Sequence, residues 1–231
     1  MTATESAALP ELDGGPYDIE FFFDPGCPFA WQTSVWMRRV RELRGVTIGW
    51  RFISLRFINE NNDVDPAMLA AQEIGLRFHR VCAAARAEHG NEAVDALYKN
   101  WGERLWYSAP TSSEFGPMLI NATEAVQPAE VIAAAGLPAE LIEAADDSSW
   151  DELIRAESDE ALRRTGSDVG TPIITYNPPN GNSLFGPVIS SIPDDDTALA
   201  FYDALRTFAD FPAFSEIKRS ARAQLDLPLF K

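Results

Sequence analysis

Residues 21–31 read Phe21-Phe22-Phe23-Asp24-Pro25-Gly26-Cys27-Pro28-Phe29-Ala30-Trp31. They begin as a strand and end as a helix, with a cysteine at the joint. Ile19, Phe21 and Phe23 alternate with Glu20 and Phe22, as a buried strand can. Asp24-Pro25-Gly26 breaks that strand. Pro28 suits the first helical turn, where a missing N–H costs nothing. Cys27 therefore falls at the N-cap of a helix whose inner face is Thr33, Trp36, Val40 and Leu43. Gly45 ends it, and Arg38, Arg39, Arg41 and Arg44 suit its C-terminal half. The unpaired N–H groups of a helix start favour a thiolate over a thiol. Such sites lower a cysteine pKa from about 8.5 to as little as about 3.5. The expectation is a reactive sulfur at Cys27, titrating well below pH 8; the plain alternative is a small buried core residue.

The chain outside this stretch narrows the choices. It has 231 residues, 46% of them hydrophobic, with six tryptophans. That is enough for one sizeable domain, or a domain with a large insertion. No apolar run is long enough for a membrane span, and Met1–Pro16 has neither a basic start nor an apolar signal core. The expected location is the cytoplasm, where thiols stay reduced. Two cysteines, Cys27 and Cys82, are too few for a disulfide scaffold or a cysteine-rich zinc site, so no metal is expected. The net charge of −16 argues against nucleic acid as a partner. The arginines at 38, 39, 41 and 44 read as a solvated helix face. Cys82, in Val81-Cys82-Ala83-Ala84-Ala85, reads as buried and inert.

In chain order, residues 1–16 are expected to be a disordered leader. Val46, Ile48, Trp50 and Phe52 alternate as a second strand, completing a β-α-β unit with parallel strands. From 65 to 165 the pattern is helical, with Asp65-Pro66 as a start and His89-Gly90-Asn91 as a stop. Shorter helices are expected at Pro117–Ala125, Pro128–Ala135 and Pro138–Ala145. Ile173–Tyr176 and Ser183–Phe185 form a hairpin around Asn177-Pro178-Pro179-Asn180-Gly181-Asn182. Asp194-Asp195-Asp196 opens a last helix. Residues 212–231 read as a tail. The fold class is α/β: residues 17–64 and 166–211 give the β-α-β-β-α core of a thioredoxin fold, and 65–165 are a large helical insertion, the DsbA-like arrangement. In that arrangement the loop Val169-Gly170-Thr171-Pro172 faces the cysteine, and the Thr171–Pro172 bond is expected to be cis.

Four separated runs carry a family resemblance: Cys27-Pro28-Phe29-Ala30-Trp31; Phe52-Ile53-Ser54-Leu55 through Asn59-Glu60-Asn61; Asp168-Val169-Gly170-Thr171-Pro172; and Phe185-Gly186-Pro187-Val188. Together they resemble the mycothiol-dependent nitroreductase family, DsbA-like proteins of bacteria that use mycothiol. The likeness runs from about Asp18 to about Arg219. It implies a cytoplasmic thiol-disulfide oxidoreductase with no bound cofactor and mycothiol as co-substrate. Electrons would pass to mixed disulfides or to small electrophiles such as nitro compounds. Cys27 would be the attacking sulfur. Pro28, Phe29, Ala30, Trp31, Asn59, Asn61, Val169, Thr171 and Pro172 would line the thiol and substrate site. The chain departs from the family pattern at one place: Cys-Pro-Trp-Cys is replaced by Cys-Pro-Phe-Ala, so Ala30 cannot resolve a mixed disulfide and the mechanism would be monothiol. Two rival readings remain. Kappa-class transferases and 2-hydroxychromene carboxylate isomerases share the fold but typically have serine where Cys27 stands. A non-catalytic peptide-binding module would have no use for a cysteine at a helix start. A homodimer is left open.

Overall fold

The computed structural model describes residues 9–231. Four strands, β1 (Ile19–Phe23), β2 (Ile48–Phe52), β3 (Ile173–Tyr176) and β4 (Ser183–Phe185), form one sheet in the order β2-β1-β3-β4. β1 and β2 run parallel, with Phe21 opposite Trp50. β3 runs antiparallel to both β1 and β4. The parallel pair needs a crossover, and α1 (Pro28–Arg44) supplies it. With α8 (Asp195–Ala209) after β4, this is the thioredoxin fold.

Between β2 and β3 lie α2 (Leu55–Ile58), α3 (Pro66–His89), α4 (Asn91–Trp106), α5 (Phe115–Ala125), α6 (Pro128–Ala134) and α7 (Asp151–Thr165). The short α2 was not foreseen. Ala139–Asp146 is a 3-10 helix where an α-helix was expected. Aromatic rings weld insertion to sheet: Tyr98 of α4 stacks on Phe23 of β1 at 4.0 Å between centroids and meets Trp50 edge-on. Each such ring contributes roughly 1.5–3 kcal/mol through burial. Gly102 of α4 lies flat against Trp31 of α1; a Cβ there would stand 2.1 Å from the indole.

A buried ionic seam ties α7 to the sheet. Glu157 accepts hydrogen bonds from the Arg51 and Arg86 guanidiniums at 3.0 and 2.8 Å and from the Phe52 N–H at 2.8 Å. Glu20 accepts from Arg51 at 2.7 Å and from Arg164 at 2.9 Å.

Two expectations need correction. Residues 1–8 of the expected leader lie outside the described residues, but Pro10 is engaged: its carbonyl accepts a bond from Arg51 at 2.7 Å. The arginines of α1 form a solvated face only at Arg39 and Arg44. Arg38 is buried and donates to Asp95 at 2.8 Å, Arg41 pairs with the same carboxylate, and Arg39 and Arg44 reach Asp195 and Asp203 on α8. The carboxylates that hold them come from distant parts of the chain. The C-terminal tail is anchored at its end. Leu227 and Leu229 are buried, and Pro228–Phe230 form a 3-10 turn against α4 and α5, with Phe230 stacked 6.1 Å from both Trp106 and Phe115.

Candidate active site

Cys27 is the N-cap of α1. Its sulfur accepts the Ala30 N–H at 3.4 Å, and its thiol donates to the Thr171 carbonyl at 3.5 Å. Asp24 shapes the turn that delivers it. One carboxylate oxygen accepts the Gly26 N–H at 2.7 Å, a local loop of the kind aspartate forms two residues ahead in turns. The other accepts the Leu55 N–H at 2.7 Å. Asp24 thus bridges the β1–α1 turn to the start of α2. Its role was missed in the sequence, where Asp24-Pro25-Gly26 read only as a strand breaker; an aspartate two residues before a turn glycine was the available signal.

The electrostatics of the sulfur differ from the expectation. Cys27 is 8% exposed. Burial pushes its thiol up to about 12, and the charge of Asp24 adds to the rise. The Ala30 and Phe29 N–H groups and the Arg222 guanidinium pull the other way. The helix start therefore favours the thiolate, as its geometry requires, but in this structure desolvation outweighs it. Burial pushes the Asp24 carboxyl up to about 7 as well. His79 is fully buried; its Nε2 donates to the Phe23 carbonyl at 3.1 Å, and burial lowers its pKa to about 4, so it is neutral. Cys82 is buried in the core with its thiol pushed up by desolvation. Both cysteines are free thiols.

The residues expected to line the site separate into groups. Pro28 and Phe29 border a groove of about 790 Å³. Its other walls include Phe115 and Met118 of α5 and Leu229 and Phe230 of the C-terminal segment. The groove stands beside the cysteine turn, and the C-terminal segment supplies a wall. Ala30 and Trp31 are buried, Trp31 against Gly102 of α4. Thr171 touches the sulfur through its carbonyl, and its hydroxyl donates to the Phe22 carbonyl at 3.2 Å. The Thr171–Pro172 peptide is cis, as are three other X–Pro bonds. Val169 packs on a small apolar group with Phe22, Ile53 and Ile173. Asn59 and Asn61 are not among the groove's walls: Asn59 accepts from the Asn62 amide at 3.0 Å, and the neighbouring Glu60 pairs with Arg155 of α7. No group of metal-ligating side chains occurs among the described residues, and no helix among them is long and apolar enough to cross a membrane.

Residues 26–219 match the sequence profile of the Rv2466c-like family, described as mycothiol-dependent nitroreductase Rv2466c. A Mycobacterium tuberculosis protein described as uncharacterized protein Rv2286c is 29% identical over 202 residues, covering 87% of this chain and 81% of its own length. Solved structures with a similar layout include the disulfide oxidoreductase DsbA of Proteus mirabilis, 16% identical over 85% of this chain and 90% of that one with a TM-score of 0.43. Another is the cytosolic disulfide reductase DsbM of Pseudomonas aeruginosa, 19% identical over 83% and 99%, also with a TM-score of 0.43.

Proposed function

The chain belongs to the Rv2466c-like family of mycothiol-dependent nitroreductases, and from that premise we propose that it is a cytoplasmic thiol-disulfide oxidoreductase working through Cys27 alone. Its thiol is mycothiol; its substrates are mixed disulfides or small electrophiles, nitro compounds among them. The observation that carries this reading is the placement of Cys27, capping α1 with its sulfur against the Thr171 carbonyl.

The chemistry comes from the groups at the sulfur. The thiol proton leaves to solvent, and the thiolate attacks one sulfur of a disulfide. A mixed disulfide forms on Cys27, and the other half departs as a thiolate. The Ala30 N–H and the start of α1 hold the developing charge. With no sulfur at position 30, a mycothiol thiolate attacks the adduct and leaves as the new disulfide, restoring the Cys27 thiolate. When the acceptor is an electrophile, two mycothiol molecules supply two electrons and depart as their disulfide. Pro28, Phe29, Val169, Thr171 and Pro172 flank the approach; Asn59 and Asn61 are given no part in it.

Exposure to oxidised mycothiol followed by intact and peptide mass spectrometry tests the scheme. One mycothiol on Cys27 and no internal disulfide is the expected product. A Cys27–Cys82 linked peptide, or an adduct elsewhere with Cys27 free, sinks it.

A further inference from the structure

Arg222 lies on the C-terminal segment with its guanidinium carbon 5.2 Å from the centre of the Phe29 ring, two residues past Cys27. Other arginines stacked on rings in this protein also hold a carboxylate: Arg38 with Asp95, Arg86 with Glu157, Arg155 with Glu60 and Arg164 with Glu20. Arg222 has no ion pair among the described residues, and it stands over the Phe29 ring at the cysteine turn.

Its position is built rather than incidental. Gln32 of α1, itself buried, donates through its amide to the Asp226 and Ser190 carbonyls at 3.3 and 3.1 Å. The Asp226 N–H donates to the Ser190 carbonyl at 2.7 Å, and the Ser190 hydroxyl donates to the Ala223 carbonyl at 3.0 Å. Leu227 and Leu229 are buried beyond that anchor. The helix that Cys27 caps therefore also fixes the backbone that carries Arg222.

We propose that Arg222 is the cation of this site, a positioning residue that, stacked on Phe29, places positive charge at the cysteine turn and favours the Cys27 thiolate. The proposal rests on the assignment of Cys27 as the reacting sulfur. The other titratable groups of this region do not supply that charge. Asp24 is acidic, and its ionised form opposes the thiolate. Tyr98 is held neutral by burial. His79 is neutral and bonded to Phe23. The step itself is ionisation alone: the thiol loses its proton to water, and Arg222 stays protonated.

The test is the alkylation rate of Cys27 in the full chain, followed by peptide mapping with the uncharged reagent iodoacetamide across pH, for the parent, Arg222→Ala and Arg222→Lys. An opposite charge shifts a pKa most when close and shielded from water, and Arg222 is exposed, so the expected loss for Arg222→Ala is about threefold at pH 7. The rate profile should move to higher pH, and Arg222→Lys should stay within about twofold of the parent. The difference should shrink in 1 M salt, where the screening length is about 3 Å. An Arg222→Ala profile that is unchanged or moved to lower pH overturns the proposal, as does equal slowing by alanine and lysine. Alkylation reads the thiolate and not turnover, so failure here leaves the assignment of Cys27 to be judged separately by Cys27→Ser.

Discussion

The sulfur of Cys27 and the carbonyl oxygen of Thr171 stand 3.5 Å apart, although 144 residues separate them in the chain. The register of the sheet accounts for this. Phe22 of β1 pairs with Ile173 of β3, running antiparallel. The turn leaving β1 must then lie level with the loop entering β3. The Thr171 hydroxyl, bonded to the Phe22 carbonyl, pins that meeting point.

Cys27→Ser is expected to abolish thiol-dependent turnover, because a serine hydroxyl is scarcely ionised where a thiolate forms. Cys82→Ala should leave the rate nearly unchanged, since Cys82 is fully buried in the core. Turnover assays on both variants, with circular dichroism to confirm folding, decide the matter. Loss of activity in a folded Cys82→Ala would contradict it.

The buried carboxyl of Asp24 gives stability a pH dependence. Its folded pKa is raised from 3.8 to about 7, so the fold prefers the protonated form. That contribution is fully present below about pH 4 and is lost as pH rises to about 7; by linkage it amounts to a few kcal/mol. The side chain of Asp24→Asn stays neutral throughout. Between these pH values the urea midpoint of the parent should therefore fall relative to that of Asp24→Asn. Parallel curves would show that Asp24 does not titrate there.

Glu157 receives two guanidiniums and a strand N–H in a buried place. Glu157→Ala leaves Arg51 and Arg86 without it and is expected to cost about 3–5 kcal/mol. Equilibrium urea unfolding reads this directly, and a loss under about 1 kcal/mol would mean the seam is dispensable.

Gly102 has a similar dependence of a steric kind. In Gly102→Ala the added methyl carbon meets the Trp31 ring at 2.1 Å unless something moves. The expected penalty is about 1–3 kcal/mol, with an altered near-ultraviolet dichroism from the displaced indole. A variant as stable as the parent with an unchanged tryptophan spectrum would disprove the close contact.

How much of this was legible in the sequence depended on range. The β1–turn–α1 unit was readable because Phe21, Phe23, Gly26, Pro28 and Gly45 each signal locally. The hairpin around Asn177–Asn182 was readable for the same reason. The partners of Arg38 and Arg44 were not, because Asp95 and Asp203 are brought to them only by the packing of α4 and α8. The thiol of Cys27 illustrates the same division. The helix cap is local and was visible; the desolvation that opposes it comes from the folded surroundings. The C-terminal segment carried a signal that was not used: Leu225, Leu227 and Leu229 alternate with polar or turn residues, a pattern that asks for a buried face.

Ala30 offers Cys27 a backbone N–H and no sulfur. An adduct on Cys27 therefore has no unimolecular exit at position 30, and Cys82 is shut in the core. On the proposed single-cysteine mechanism, release would be first order in the external thiol, and the lifetime of the adduct would be inversely proportional to that thiol's concentration. A two-sulfur site carries a midpoint potential set by its own dithiol couple. On the proposed mechanism the occupied fraction would follow an exchange equilibrium instead, governed by the ratio of oxidised to reduced thiol in the surrounding solution. The protein would then hold its adduct longest when reduced thiol is scarce.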